Sequence, residues 1–153
     1  MIPRLENPRG RFDAIDPGTT YYGVARFFDG ALEWCAYSPT LSVPIVTRGT
    51  TLVIEGQRFR TGSRADPQTI IDLAFAAGTI RGQYYGTVVK IDDPQMWKGT
   101  IDGKIMIQRI LKRLTPMETL IVTSSLKGVR KSNHEHVIDA IGIGLFMTGR
   151  LGQ

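Results

Sequence analysis

Two β-rich runs, Tyr21 to Phe28 and Ala31 to Tyr37, are separated only by Asp29-Gly30. A two-residue link of this kind needs positive φ at its centre and matches the right-handed twist of the flanking strands, so it is the strongest short-range hairpin signal a sequence can carry. Phe12 to Asp16 is a short apolar-rich strand that stops at Pro17-Gly18, a turn signal. The chain therefore opens as a three-strand antiparallel meander. Residues 38–49, with Pro39, Pro44 and Gly49, read as a loop, and Thr51 to Glu55 resumes as a fourth strand.

Helical signals follow. Asp66-Pro67 is an N-cap with proline at the first helical position, opening a helix that runs to about Arg81. Its middle, from Ile70 to Ala77, is apolar almost all the way round, and such a helix needs cover on two sides. Tyr85 to Ile91 reads as a fifth strand, and Ile101 to Leu114 as an amphipathic helix. Thr119 to Ser124 fits either strand or helix. Ser132-Asn133-His134-Glu135 has the capping-box pattern that starts a last helix, ending near Met147. Strands followed by alternating helices and a strand give an α/β plan with a mixed sheet.

The 153 residues suit one domain, from 11 to 153 behind an irregular arm of residues 1–10. Hydrophobic residues at 42% and charged ones at 22% are close to globular averages, which argues against disorder. The single cysteine, Cys35, excludes an internal disulfide and a multi-thiolate zinc site. No apolar stretch approaches the ~20 residues of a membrane span, and Met1 to Arg11 carries no signal-peptide core. The expectation is a soluble, cytoplasmic protein with no membrane partner.

Charge is unevenly placed. Between Pro94 and His134 stand eight Lys or Arg (Lys98, Lys104, Arg109, Lys112, Arg113, Lys127, Arg130, Lys131) against Asp102 and Glu118, a local net of +6 within a chain of +5. A concentrated basic surface suits a phosphate backbone, because each neutralised phosphate releases counterions. The bland alternative is a solvated helix face.

Asp16 closes the first strand, Glu55 closes the fourth, and Asp139 lies inside the last helix, three residues after His136 and on the same helical face. Side chains from two strand ends and one helix can converge at one edge of a sheet. Clustered carboxylates repel unless cations neutralise them, so convergence implies Mg²⁺ or Mn²⁺. Two such ions about 3.5–4 Å apart activate water and stabilise the leaving oxygen of a phosphodiester. Duller readings exist for each residue. Asp16 before Pro-Gly is also a turn former, and His136 is also a plain surface or core histidine. Asp13, Asp92 and Asp93 are most simply turn or strand-end acids, and His134 and Glu135 cap residues, although Glu135 shares the face of Asp139. Glu55, at the end of an apolar strand, needs a partner or a metal, and Asp139 buried without compensation in an apolar helix would cost several kcal/mol.

Ala14-Ile15-Asp16-Pro17-Gly18-Thr19, Val53-Ile54-Glu55-Gly56-Gln57 and His136-Val137-Ile138-Asp139-Ala140 resemble, in order, the three acidic motifs of RuvC-type Holliday-junction resolvases in the ribonuclease H-like superfamily. Pro94-Gln95-Met96-Trp97-Lys98-Gly99, with Lys104 and the basic helix after it, is similar to that family's link into its DNA-contacting helix. The resemblance spans about Phe12 to Leu145. It implies a ribonuclease H-like fold, a mixed five-stranded sheet flanked by helices. It also implies that Asp16, Glu55, His136 and Asp139 hold two Mg²⁺ ions, with Mn²⁺ as a substitute. The activity implied is paired nicking of four-way DNA junctions that leaves 5′-phosphate ends. A homodimer joined through the apolar helix is implied as well, with Lys98 and Lys104 along the phosphates and Arg58, Phe59, Arg60, Lys127, Arg130 and Lys131 in nearby DNA-binding loops. Two departures stand out: Arg58 occupies the place where the family often has a base-wedging aromatic, with Phe59 after it, and the stretch Pro116 to Asn133 is unlike the family's. They suggest a phage-encoded or specialised relative, acting in a bacterial cell or infected host without assumed branch-migration partners.

Three rivals remain. Asp16-Pro17-Gly18-Thr19-Thr20 also resembles the first phosphate loop of actin-like ATPases and sugar kinases, but those close two lobes and this chain has one. A non-catalytic DNA-binding protein of the same fold is the second. A broader nuclease for flaps, branched DNA or RNA:DNA hybrids is the third.

Overall fold

The computed structural model describes residues 5–39, 51–56, 66–84 and 86–152. Strands β1 (Phe12–Asp16), β2 (Tyr21–Phe28), β3 (Ala31–Pro39), β4 (Thr51–Glu55) and β5 (Val88–Ile91) form one sheet. The order is β3-β2-β1-β4-β5, antiparallel across β3, β2 and β1, and parallel across β1, β4 and β5. The chain is thus α/β, with a mixed five-stranded sheet flanked by helices. The meander follows from the Asp29-Gly30 turn, where both residues take positive φ. β1 sits centrally and is buried throughout, which explains its near-continuous apolar reading. Residues 5–10 form turns, with Leu5 packed against the core.

Each face of the sheet has its own cover. On one side Phe12, Ala14, Ala25, Phe27 and Val53 pack beneath α5 (His134–Met147), with Met106 and Ile110 of α3 (Gly103–Leu111) and Val122 of α4 (Pro116–Leu126) completing the core. Phe12 and Phe27 are register partners and stack at 5.3 Å. A Cβ on Gly144 would run into the Phe27 ring, so glycine there lets α5 lie close to the sheet. On the other side Ile15, Tyr22, Val24, Leu52 and Ile54 meet Ile80 of α1 (Pro67–Gly82). α1 begins as the sequence implies, with the Asp66 side chain accepting from Thr69 N–H. Only part of its apolar surface is covered: Ile71 is 60% and Phe75 76% exposed.

Several expectations need correction. Ser132 does not cap the last helix; it lies in a 3₁₀ turn (Lys131–Asn133), and the N-cap is Asn133 with no side-chain bond. The 3₁₀ turn supplies the connection by backbone instead, Asn133 N–H donating to the Arg130 carbonyl at 2.8 Å. The capping box belongs to Thr115 and Glu118, opening α4, so the ambiguous stretch Thr119 to Ser124 is helical. A short helix, α2 (Gln95–Lys98), precedes α3, and the fifth strand keeps only Val88–Ile91 of its expected span.

Asp13 is no turn acid. It is wholly buried in mid-strand on the α1 side, where Arg26 grips it through two bonds of 2.8 and 3.0 Å and lies 5.5 Å over the Trp34 ring. Alternation across the hairpin puts both residues on one face, and a buried carboxylate there requires such a partner. Glu118 makes a second buried pair. Its carboxylate accepts from Leu32 N–H, Thr115 N–H and both terminal nitrogens of Arg150, at 2.6–2.8 Å. Arg150 also donates to the carbonyls of Gly30 and Arg113, so the chain after α5 is tied to the β2–β3 turn and to the start of α4.

Candidate active site

The parallel register sets Ile15 opposite Ile54, so Asp16 and Glu55 leave neighbouring strands at the same sheet edge, on the face that α5 covers. α5 brings Asp139 and His136 to that edge. Its approach depends on Gly23, the register partner of Asp16, because a Cβ there would collide with the His136 carbonyl. The three acids are 8%, 4% and 7% exposed for Asp16, Glu55 and Asp139, which makes each a carboxylate largely removed from water.

Each acid has its own donor. His136 Nδ1 lies 2.9 Å from Asp16 Oδ2, Trp97 Nε1–H donates to Glu55 Oε2 at 2.6 Å, and Lys98 Nζ donates to Asp139 Oδ2 at 2.8 Å. Trp97 and Lys98 are consecutive in α2, so one helical turn serves two acids. Gly142 in α5 leaves the room that the Trp97 ring occupies. Sequence reading placed Lys98 along phosphates; here it is an acid's ion-pair partner, its ammonium 4.9 Å from the Trp97 ring.

The charges act on one another. Burial, then the charge of Asp16, pushes Glu55 up to about 7, although the Trp97 bond and Lys98 pull the other way. Burial also raises Asp16, with His136 opposing and Asp139 adding to the rise. Burial alone would lower Lys98, but Asp139, Glu55 and Asp16 together hold it above its ordinary value. The Asp16 bond raises His136, against the effect of burial. The edge is thus short of positive charge even with one lysine and one histidine in place.

Among the described residues no three His, Cys, Asp or Glu side chains are disposed around one point as a finished metal centre. The acids share an edge but are tied singly to organic donors. His136, not Glu135, reaches Asp16; Glu135 is exposed and directed toward Gly103. Asp92 pairs with Lys90, and Asp93 accepts from Gln95 N–H at the start of α2, as turn acids do. Lys104, Lys127, Arg130 and Lys131 are exposed. Arg58, Phe59 and Arg60 lie outside the described residues. The sequence reading gave Trp97 no role. Its signal was the Trp-Lys pair between an acid turn and a basic helix, which becomes legible only once Glu55 is known to need a donor.

No protein-family model matches the chain, and no curated protein matches it either. No helix among the described residues is long and apolar enough to cross a membrane.

Proposed function

We propose that this chain is a divalent-cation-dependent endonuclease of ribonuclease H-like architecture that resolves four-way DNA junctions by paired nicks, leaving 5′-phosphate ends. The observation that supports the reading is the sheet edge that Asp16, Glu55 and Asp139 share, nearly buried and mutually repelling, with Glu55 pushed up to about 7. The strand order, with a three-stranded antiparallel meander continued by two parallel pairings, is compatible with the fold that the resemblance implies.

The donor set suits a hard divalent ion, since it consists of carboxylate oxygens in surroundings that favour added positive charge. Asp16, Glu55 and Asp139 would hold Mg²⁺ or Mn²⁺, two ions per site, with His136 beside Asp16. Bound there, such ions supply Lewis acidity toward a phosphodiester and make water a stronger acid. The protein's own groups do the rest. Trp97 fixes the rotamer of Glu55, and His136 holds Asp16 through Nδ1. Lys98, which holds Asp139 in the absence of a cation, would be available to a substrate phosphate when Asp139 serves as a ligand. The exposed Lys104 of α3, Lys112 and Arg113 just after it, and the exposed basic residues of the 127–131 loop supply sequence-independent attraction for the strands.

A four-way junction has two-fold symmetry, and a two-fold enzyme suits it. The uncovered Ile71 and Phe75 of α1 support a homodimer through that helix. The wild-type chain is expected to sediment as two copies and Phe75→Glu as one.

One observation favours a non-catalytic DNA-binding protein instead: every acid already has a donor, as a domain that never loads cations would arrange. The two readings separate when the purified protein is incubated with labelled four-way, three-way, flap, linear and RNA:DNA hybrid substrates, with and without Mg²⁺ or Mn²⁺. Cation-dependent paired nicks in the four-way junction are expected. Binding without cutting under every condition supports the non-catalytic alternative, and cutting of flaps or hybrids at least as fast widens the substrate class.

A further inference from the structure

A cleft of about 250 Å³ runs beside the acid edge, between α2 and the C-terminal half of α5. Met96, Trp97, Ile101 and Phe146 give it apolar walls, and Lys98 and Arg109 give it its cations. Arg109 is the unusual member. It is partly buried in the last turn of α3, yet among the described residues no hydrogen bond or ion pair holds its guanidinium. The other arginines that are comparably buried are spoken for: Arg26 grips Asp13 and Arg150 grips Glu118. Leaving a partly buried guanidinium unpaired has a cost, and an anionic ligand would remove it.

We infer that this cleft is a nucleotide subsite, in which Arg109 binds a phosphate and the Met96, Trp97, Ile101 and Phe146 walls receive one unstacked base. The volume is below the about 300–1,000 Å³ typical of drug-sized ligands, which fits a single base better than a whole cofactor. The chemistry matches too, because every base offers a flat apolar face to aromatic and aliphatic side chains, whatever its identity. Arg109 suits a phosphate more than Lys would, since its planar fork makes two parallel bonds. Lys98 lines the same cleft and holds Asp139, so one side chain links the subsite to the acid edge. Assigning the bound nucleotide to the strand being cut rests on the nuclease reading; binding in the cleft does not. The cleft against α1 carries no such argument, because its Lys90 is paired with Asp92 and its Arg81 is exposed.

The test is fluorescence anisotropy of a labelled short thymidine oligonucleotide in cation-free buffer, with thymidine monophosphate, thymidine and inorganic phosphate as competitors. Thymidine monophosphate is expected to displace the strand, and thymidine and phosphate to need about tenfold more to do so. Arg109→Gln should weaken strand binding about tenfold, and Arg109→Lys should restore part of it. Arg9→Gln, an exposed change near the Asp29-Gly30 turn, should leave it unchanged. Equal binding by Arg109→Gln, or phosphate competing as well as the nucleotide, overturns the subsite. If junctions are still cut in that case, the nuclease reading survives without it. Arg109-dependent nucleotide binding by a chain that cuts nothing leaves the subsite standing and removes the nuclease.

Discussion

The indole N–H of Trp97 meets the Glu55 carboxylate at 2.6 Å, joining residues 42 positions apart in the chain. The bond favours the ionised acid, while burial and the neighbouring Asp16 favour the protonated one, and the balance leaves Glu55 near neutrality. Trp97→Phe keeps the ring's bulk and deletes the donor. In cation-free buffer the titration of the Glu55 carboxyl, followed by NMR, should therefore move to higher pH. A titration that stays in place would separate Trp97 from Glu55's ionisation.

Glu55 rises from 4.5 to about 7 only in the folded chain. The native state then binds its proton more tightly, so stability falls as pH climbs through that interval. In cation-free buffer Glu55→Gln removes this loss and should raise stability at about pH 8 by up to about 3 kcal/mol, with little gain near pH 4. Urea unfolding measures it. The same variant should bind junctions and leave them intact, and added Mg²⁺ should raise the Tm of wild type but not of the variant.

The opposite sign applies at Glu118. Burial alone would raise it, but Arg150 and the N–H groups of Leu32 and Thr115 bring it down to about 2. Its contribution is complete above about pH 4.5 and is lost as pH falls toward about 2, on the order of 3 kcal/mol. Glu118→Gln should be destabilised at neutral pH and should converge with wild type in strong acid. Parallel stability curves across that window would rule the pair out as the source.

These two acids mark what the sequence could and could not convey. The hairpin and the α1 cap were legible because each rests on a local pattern, Asp-Gly between β runs and Asp-Pro before an apolar run, and the three acids that share the sheet edge stood out as acids ending or interrupting apolar segments. Glu118 and Asp13 were not, because their meaning depends on arginines from distant elements, Arg150 at the far end and Arg26 across a hairpin. Thr115-Pro116-Met117-Glu118 did hold a capping-box pattern, but the similar pattern at Ser132 to Glu135 drew the assignment instead. The donors at the site were equally hidden, since nothing in a Trp-Lys dipeptide says that each residue will meet a different carboxylate.

Gly23 decides how closely α5 can approach β2. Gly23→Ala sets a methyl against the His136 carbonyl and should cost about 1–3 kcal/mol through backbone displacement. The His136 pKa should then fall back toward 6.5 as its bond to Asp16 loosens, a shift that NMR titration of the imidazole reads directly. An unchanged imidazole titration would mean that the helix is positioned by other contacts.

Salt dependence tests the basic surface. Reversing charge at Lys98 and Lys104 together should weaken junction binding and lower the slope of log K against log salt by about 2, about one unit for each phosphate that is no longer neutralised. An unaltered slope would take these two lysines off the DNA path.

The tie between Arg150 and the Gly30 turn bears on biosynthesis. As the chain leaves the ribosome, Asp16 and Glu55 emerge well before the helix that covers their sheet face and its arginine latch. A nascent chain therefore exposes half of its central sheet until residue 150 is out, and the third acid arrives only with the closing helix. Incomplete chains would carry an open apolar face but no assembled acid edge, making them candidates for chaperone capture.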